Sequence, residues 1–370
     1  MALACCPVMD IAATRTPPPL HDLLGVSFVF NAPINALAWD GDHACFGLAD
    51  GAVAMMAAHW PGAPHLAPRP GGGLALVPSA APPPPPAIVG AHCGPVLALA
   101  ADPLGGVVSG GADGKFLRLA GGGITLLAER ARRRIGVVAA GRGGRRSFAA
   151  GRQVDRVGPD AKRLTLPGAV TALAFDSSGL HLAAGYQGGV SLEACAVRTA
   201  PRQVLQGACR LLCWNHDGSM VGAAGAGPAV AVRRRADDTW IMIALDHRID
   251  DLAFSRCGTL VIASAAGLQI WQAEDGMRPM SVGRHADHCC GPIACHPRIP
   301  LVACADQAGR VLLRHPRLGD TIVVRDAGAA PVALAFAPDG EALAFAASDG
   351  EAGTVILPAA LFRTGEREHE

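Results

Sequence analysis

Residues 331–357 read PVALAFAPDGEALAFAASDGEAGTVIL. Three short apolar runs, Val332 to Phe336, Glu341 to Ala347 and Thr354 to Leu357, are separated by Pro338-Asp339-Gly340 and Ser348-Asp349-Gly350. Asp supplies side-chain-to-backbone hydrogen bonds and Gly the positive φ that a tight reversal needs, so the stretch predicts a three-stranded meander.

The same grammar recurs upstream: a strand ending in Leu-Ala-aromatic, a polar-Gly turn, a second strand of small apolar residues, another Gly turn and a third strand. Marking each unit by the apolar residue two before the aromatic gives Leu37, Leu99, Val138, Leu173, Leu212, Leu252, Ile293 and Leu334. The steps are 62, 39, 35, 39, 40, 41 and 41 residues. A period near 40 is that of four-stranded propeller blades, so the expected fold is an all-β propeller of eight blades. Seven is the alternative, because the third unit turns on Arg-Gly rather than Asp-Gly. Fourth strands fit between units, as at Thr239 to Leu245 and Thr321 to Val324. The last unit lacks one and Val26 to Phe30 lacks a partner, so the N-terminal strand is expected to close the ring.

This reading divides the chain into an irregular arm over 1–23, broken by Thr16-Pro17-Pro18-Pro19, a propeller over 24–358 and a polar tail over 359–370. The long first step is a Pro/Gly-rich insertion over 59–87, which ends in Pro82 to Pro86 and reads as an extended spacer.

In 370 residues with mean hydropathy +0.29, no apolar run approaches the length of a membrane span. Lys occurs only at Lys115 and Lys162 while Arg, Ala, Gly and Pro abound, the usage of a GC-rich, bacterial genome. Net charge +1 provides no global attraction to nucleic acid or to an anionic membrane. Met1 to Asp10 lacks the basic and apolar stretches of a secretory signal, so none is expected, and the twelve unevenly spaced Cys fit buried thiols of a reducing cytoplasm better than a disulfide framework. The expectation is a cytoplasmic protein, monomeric on its own.

With these units in place, the chain resembles the WD40-repeat family. The resemblance rests on Val332 to Phe336 with Pro338-Asp339-Gly340 and on Val170 to Phe175 with Ser178-Gly179. Asp50-Gly51, Asp113-Gly114 and Asp349-Gly350 fill the family's turn between second and third strands, and His92 and His247 fall where its Gly-His histidine sits. The Trp-Asp dipeptide that ends the family's third strand is absent, with Trp271-Gln272 nearest to it. The resemblance implies a non-catalytic scaffold for protein partners.

Two groups of residues are site candidates. His and Cys are the ligands zinc prefers, and His285, His288, Cys289 and Cys290 precede the first strand of their unit. His92, Cys93, Cys209 and His247 occupy the corresponding loops of other units, so a His/Cys rim holding zinc is one alternative to the cofactor-free scaffold. The bland counterpart is structural histidines and small thiol fillers. The second group is basic: Arg132, Arg133, Arg134, Arg142, Arg145 and Arg146 in the third unit form either a surface for an acidic partner or a solvated face. There is no nucleophile elbow, phosphate loop or paired-carboxylate motif, and the adjacent Asp250 and Asp251 are expected to point to opposite faces of their strand. A propeller enzyme with its site at the channel mouth is the remaining alternative.

Overall fold

The computed structural model describes residues 17–70, 72–194, 208–236, 238–272, 277–280, 290–315 and 321–359. Eight antiparallel sheets follow one another in chain order. Blade 1 is built from Ile34–Asp40, His43–Leu48, Ala52–Ala57 and Ala87–Gly90. Blades 2 to 7 span 96–129, 137–165, 170–194, 211–244, 249–280 and 293–325; each has four strands, except that blade 4 shows three among the described residues. Blade 8 contains Pro331–Phe336, Ala342–Ala347 and Glu351–Ile356, and its outermost strand is Gly25–Val29. The N-terminal strand therefore closes the ring, antiparallel to the last one, with Gly25 opposite Val355 and Val29 opposite Glu351.

The blade count is eight, not seven. Despite its Arg-Gly turns, the third unit forms a complete blade because Gly143 and Gly144 supply the positive φ that Asp-Gly provides elsewhere. First strands of successive blades touch one another all the way round, blade 8 against blade 1 included, which places them at the centre. Second strands are buried along all or most of their length, throughout in Val107–Gly111 and Ala342–Ala347. Burial on both faces explains why they read as continuous runs of small apolar residues instead of alternating. Phe46, Phe116, Phe148 and Phe345 fill the spaces between them and are fully buried.

Neighbouring blades are also joined by specific hydrogen bonds. Trp39 Nε1 donates to the Ala335 carbonyl and Trp214 Nε1 to that of Ala174, each at 3.0 Å and each reaching back one blade from the end of a first strand. Asn35 Nδ2 reaches forward to the Val96 carbonyl at 2.9 Å. Asn35 sits where the ladder slips by one residue between Ile34 and Ala36, a bulge that turns the side chain toward the next blade.

Two segments depart from the sequence expectation. Leu20–Leu24, expected to lie in an irregular arm, forms a short helix, α1. Its Leu20 and Leu24 are buried in the cluster between blades 7 and 8, where α1 touches the outer strand Thr321–Arg325. The insertion holds a hairpin, His65–Pro68 paired with Leu74–Val77. Leu66 and Leu76 pack on the same cluster as α1, so apolar burial overrides the flexibility that the Pro/Gly content implied. No helix among the described residues is long and apolar enough to cross a membrane.

Candidate functional site

Strand direction assigns each loop to one of two faces. The loop leading into a first strand and the turn between second and third strands share the lead-in face, while the turn after a first strand lies on the opposite, first-turn face. The sequence candidates separate accordingly.

On the lead-in face of blade 2, His92 is buried within its own blade. Its Nδ1 is 2.9 Å from Asp113 Oδ1 and its Nε2 is 2.9 Å from Ser109 Oγ. Asp113 also accepts the Cys93 and Lys115 backbone N–H groups. Burial alone would raise the Asp113 pKa, but the bonds from Lys115, His92 and Cys93 hold it below the ordinary carboxylate range. The turn is equally constrained at Gly51 of blade 1, with φ +97°, where a Cβ would fall 2.4 Å from the His92 carbonyl oxygen. Both ring nitrogens of His92 are thus occupied by structural partners. Asp113→Ala is expected to cost about 2–3 kcal/mol by stranding the buried imidazole, read as a lower denaturation midpoint with unchanged metal content. An unchanged midpoint would remove this structural role.

The other described candidates do not join His92. Cys93 is exposed. Cys209 is buried, its thiol reaches the Leu211 carbonyl, and burial pushes its pKa up to about 12, which keeps it protonated. His247 is exposed, because the blade 6 turn that should supply an acceptor reads Ala265-Ala266 where blade 2 has Asp113. Cys290 is half-buried in the lead-in loop of blade 7, while His285, His288 and Cys289 lie outside the described residues. These loops belong to blades 2, 5, 6 and 7, with blades 2 and 6 on opposite sides of the ring. Among the described residues, no three His, Cys, Asp or Glu side chains are grouped to hold a metal ion.

The six arginines fall into two groups at opposite ends of the five-residue strand Val137–Gly141, roughly 15 Å apart. Arg132, Arg133 and Arg134 form the exposed loop leading into blade 3. Arg142, Arg145 and Arg146 sit at the first-turn end, and two of them are consumed by ion pairs. Arg146 reaches Asp102 of blade 2 at 2.6 Å and Arg145 reaches Asp160 at 2.6 Å. Asp102 also accepts Arg118 Nε at 2.8 Å. Burial would raise its pKa, but the Leu104 N–H and the two guanidiniums hold it down.

A second use of the lead-in loop escaped sequence reasoning. Arg130 lies 5.5 Å from the centre of the Phe148 ring and pairs with Asp155 at 2.7 Å; Arg325 lies 5.3 Å from that of Phe345 and pairs with Glu351 at 2.5 Å. In both cases an arginine leaving the previous blade stacks on a second-strand Phe and meets a third-strand carboxylate. Blade 2 fills the equivalent slot with His92 and Asp113. The detectable signal was an Arg at the end of a fourth strand, followed 18 to 20 residues later by Phe and 25 to 26 residues later by an acid.

On the lead-in side of blades 5 to 8, a cavity of about 730 Å³ is lined by Arg210, Arg248, Asp250, Asp251, Asp306 and Gln307. Asp250 and Asp251 share it rather than facing apart, because the ladder slips between Ile249 and Asp251. Asp250 pairs with Arg248 at 3.1 Å. Burial pushes Asp251 up to about 6, against the N–H groups of Ile293 and Leu252 that its two oxygens accept. Its bond to Ile293 ties blade 6 to blade 7.

Many solved structures share this fold. A chain in the crystal structure of the Mitotic Checkpoint Complex matches with TM-score 0.57 and 14% identity over 96% of this chain and 98% of that one. The crystal structure of the computationally designed Ika8 protein matches with TM-score 0.65 and 17% identity over 89% and 97%. At such identities the likeness shows the propeller architecture alone. No family model and no curated protein matches the chain.

Proposed function

We propose that this propeller is a non-catalytic scaffold for protein partners and that the lead-in loop of blade 3 is one of its contact surfaces. The observation that carries this reading is Arg132, Arg133 and Arg134, exposed in sequence and without a side-chain partner among the described residues. Nearby arginines are consumed by aspartates within or between blades: Arg130 and Arg163 by Asp155, Arg118 and Arg146 by Asp102. Three adjacent unneutralised guanidiniums on a rigid rim suit an acidic protein surface, and steering by such charges is salt-dependent.

The test is affinity capture by the full chain, with metal analysis of the same sample and a parallel Arg132→Glu/Arg133→Glu/Arg134→Glu variant. A partner bound directly by the purified protein, weakened at least tenfold by the charge reversal and by raised salt, is the expected result. Equal binding by the variant overturns the assignment of the loop. Stoichiometric zinc that is lost on replacing His288 and Cys289, with no partner recovered, overturns the scaffold reading.

A further inference from the structure

The first-turn face of blades 5 to 8 carries a cavity of about 620 Å³, within the range of small-molecule sites. Its walls include Trp214 and Phe254, which end the first strands of blades 5 and 6. Each ring has one side packed into the core between blades. The indole N–H of Trp214 is already donated to Ala174, so this ring presents apolar surface. The polar lining comes from the turns that follow: His216, Arg256 and Arg298, all exposed to solvent.

The charge balance of this cavity is one-sided. No carboxylate among the described residues lines it. Among the described residues, Arg256 meets only the His216 ring, through its terminal guanidinium nitrogen, and the Arg298 guanidinium has no partner. Elsewhere on the same face Arg118, Arg145 and Arg146 are neutralised by aspartates. Two acids lie close by without lining it: Asp217, which shares the adjoining pocket with His216 and Arg256, accepts the Ser219 N–H, and Asp339 accepts the Glu341 N–H.

A fourth polar residue serves to hold the site rather than to bind. His296 Nε2 is 3.0 Å from the Gly340 carbonyl oxygen, and its Nδ1 accepts the N–H groups of Arg298 and Ile299. This pattern places the proton on Nε2. Burial lowers the pKa below the ordinary histidine value, so the ring is neutral and fixes the backbone of the loop that carries Arg298. Gly340, with φ +79°, has its Cβ position 2.3 Å from that ring, and only glycine fits.

From the aromatic walls, the two guanidiniums that meet no carboxylate and the absence of a lining carboxylate among the described residues, we infer that this cavity is a binding site for a ligand that carries both an aromatic ring and a phosphate. The ring would lie against Trp214 and Phe254 while Arg256 and Arg298 donate to the phosphate oxygens, with His216 beside them. The site faces away from Arg132 to Arg134, and its occupancy does not depend on that surface.

The test is calorimetric titration of the full chain with phenyl phosphate, inorganic phosphate and phenol. The expected result is binding of phenyl phosphate at least tenfold tighter than of either fragment, and a loss of about tenfold or more in Arg256→Gln/Arg298→Gln, given the strength of hydrogen bonds to charged groups. Arg256→Lys/Arg298→Lys, which keeps the charge, should recover part of the affinity, and circular dichroism checks that each variant is folded. Absence of phenyl phosphate binding, or equal binding by the folded glutamine variant, overturns the site. A nucleoside monophosphate and a tyrosine-phosphorylated peptide distinguish the two sources of such a ligand. Tighter binding of one assigns the site to it, and failure of both overturns the proposal.

Discussion

Removing residues 20–29 is expected to abolish cooperative folding. These ten residues supply two things that no other part of the chain replaces: the outermost strand of blade 8 and the α1 cover over the outer strand of blade 7. Leu20 and Leu24 are 8% and 1% exposed, and burying one leucine contributes roughly 1.5–3 kcal/mol. Together with the loss of a strand pairing of five residue pairs, the deletion removes more than about 5 kcal/mol, comparable with the whole stability of many domains. Insoluble protein or a broad, early thermal transition is the expected outcome, whereas a sharp transition within a few degrees of the parent would show that the ring does not need its clasp. Two further variants separate ring closure from general damage. Leu24→Ala alone should cost about 2–5 kcal/mol and leave a folded protein. Refusing the same ten residues after Leu357 through a short flexible linker should restore much of the stability, because the strand runs antiparallel to Glu351–Ile356 and starts at the face where that strand ends.

The parts of this architecture that sequence exposes are those imposed by backbone geometry. Turns such as Pro338-Asp339-Gly340 and Ser348-Asp349-Gly350 need particular residues wherever they occur, so their spacing reveals the blade period and the unpaired strand near Val26. What sequence conceals depends on partners distant along the chain. Leu66 and Leu76 look like stray apolar residues in a Pro/Gly-rich spacer until Leu20, Leu24 and Leu301 are brought beside them. Leu20, Leu23 and Leu24 have helical spacing, but Pro17-Pro18-Pro19 immediately before them points to an irregular arm; a helix can begin directly after Pro19. The candidate site followed the same division. His92 was placed by its position before the first strand of its unit, where the WD40 family's Gly-His histidine sits, whereas Arg130 and Arg325 are indistinguishable by residue type from solvated arginines. Likewise Arg132 and Arg142, ten positions apart in an apparently continuous basic run, lie at opposite ends of a strand.

That hidden arginine slot leads to the second large effect, a loss of about 3–5 kcal/mol in Arg325→Ala. Arg325 is 8% exposed, donates to the carbonyls of Gly309 and Ala329 at 2.8 and 3.1 Å, and pairs with Glu351 at 2.5 Å. Its guanidinium therefore joins the end of blade 7 to the third strand of blade 8, beside the N-terminal clasp. Truncation strands a partly buried carboxylate and two carbonyls and also removes the face-on contact with Phe345, which explains a cost well above that of a surface pair. Much of this cost comes from the acid left behind rather than from the pair itself. A double variant, Arg325→Met/Glu351→Leu, should accordingly recover at least half of the loss, since an apolar pair of similar volume often equals a buried ion pair in stability. Urea denaturation of the four members of the cycle measures the coupling. If Arg325→Ala costs less than about 1 kcal/mol, the contact is no more than a surface ion pair, and blade 8 is held by its strand pairing alone.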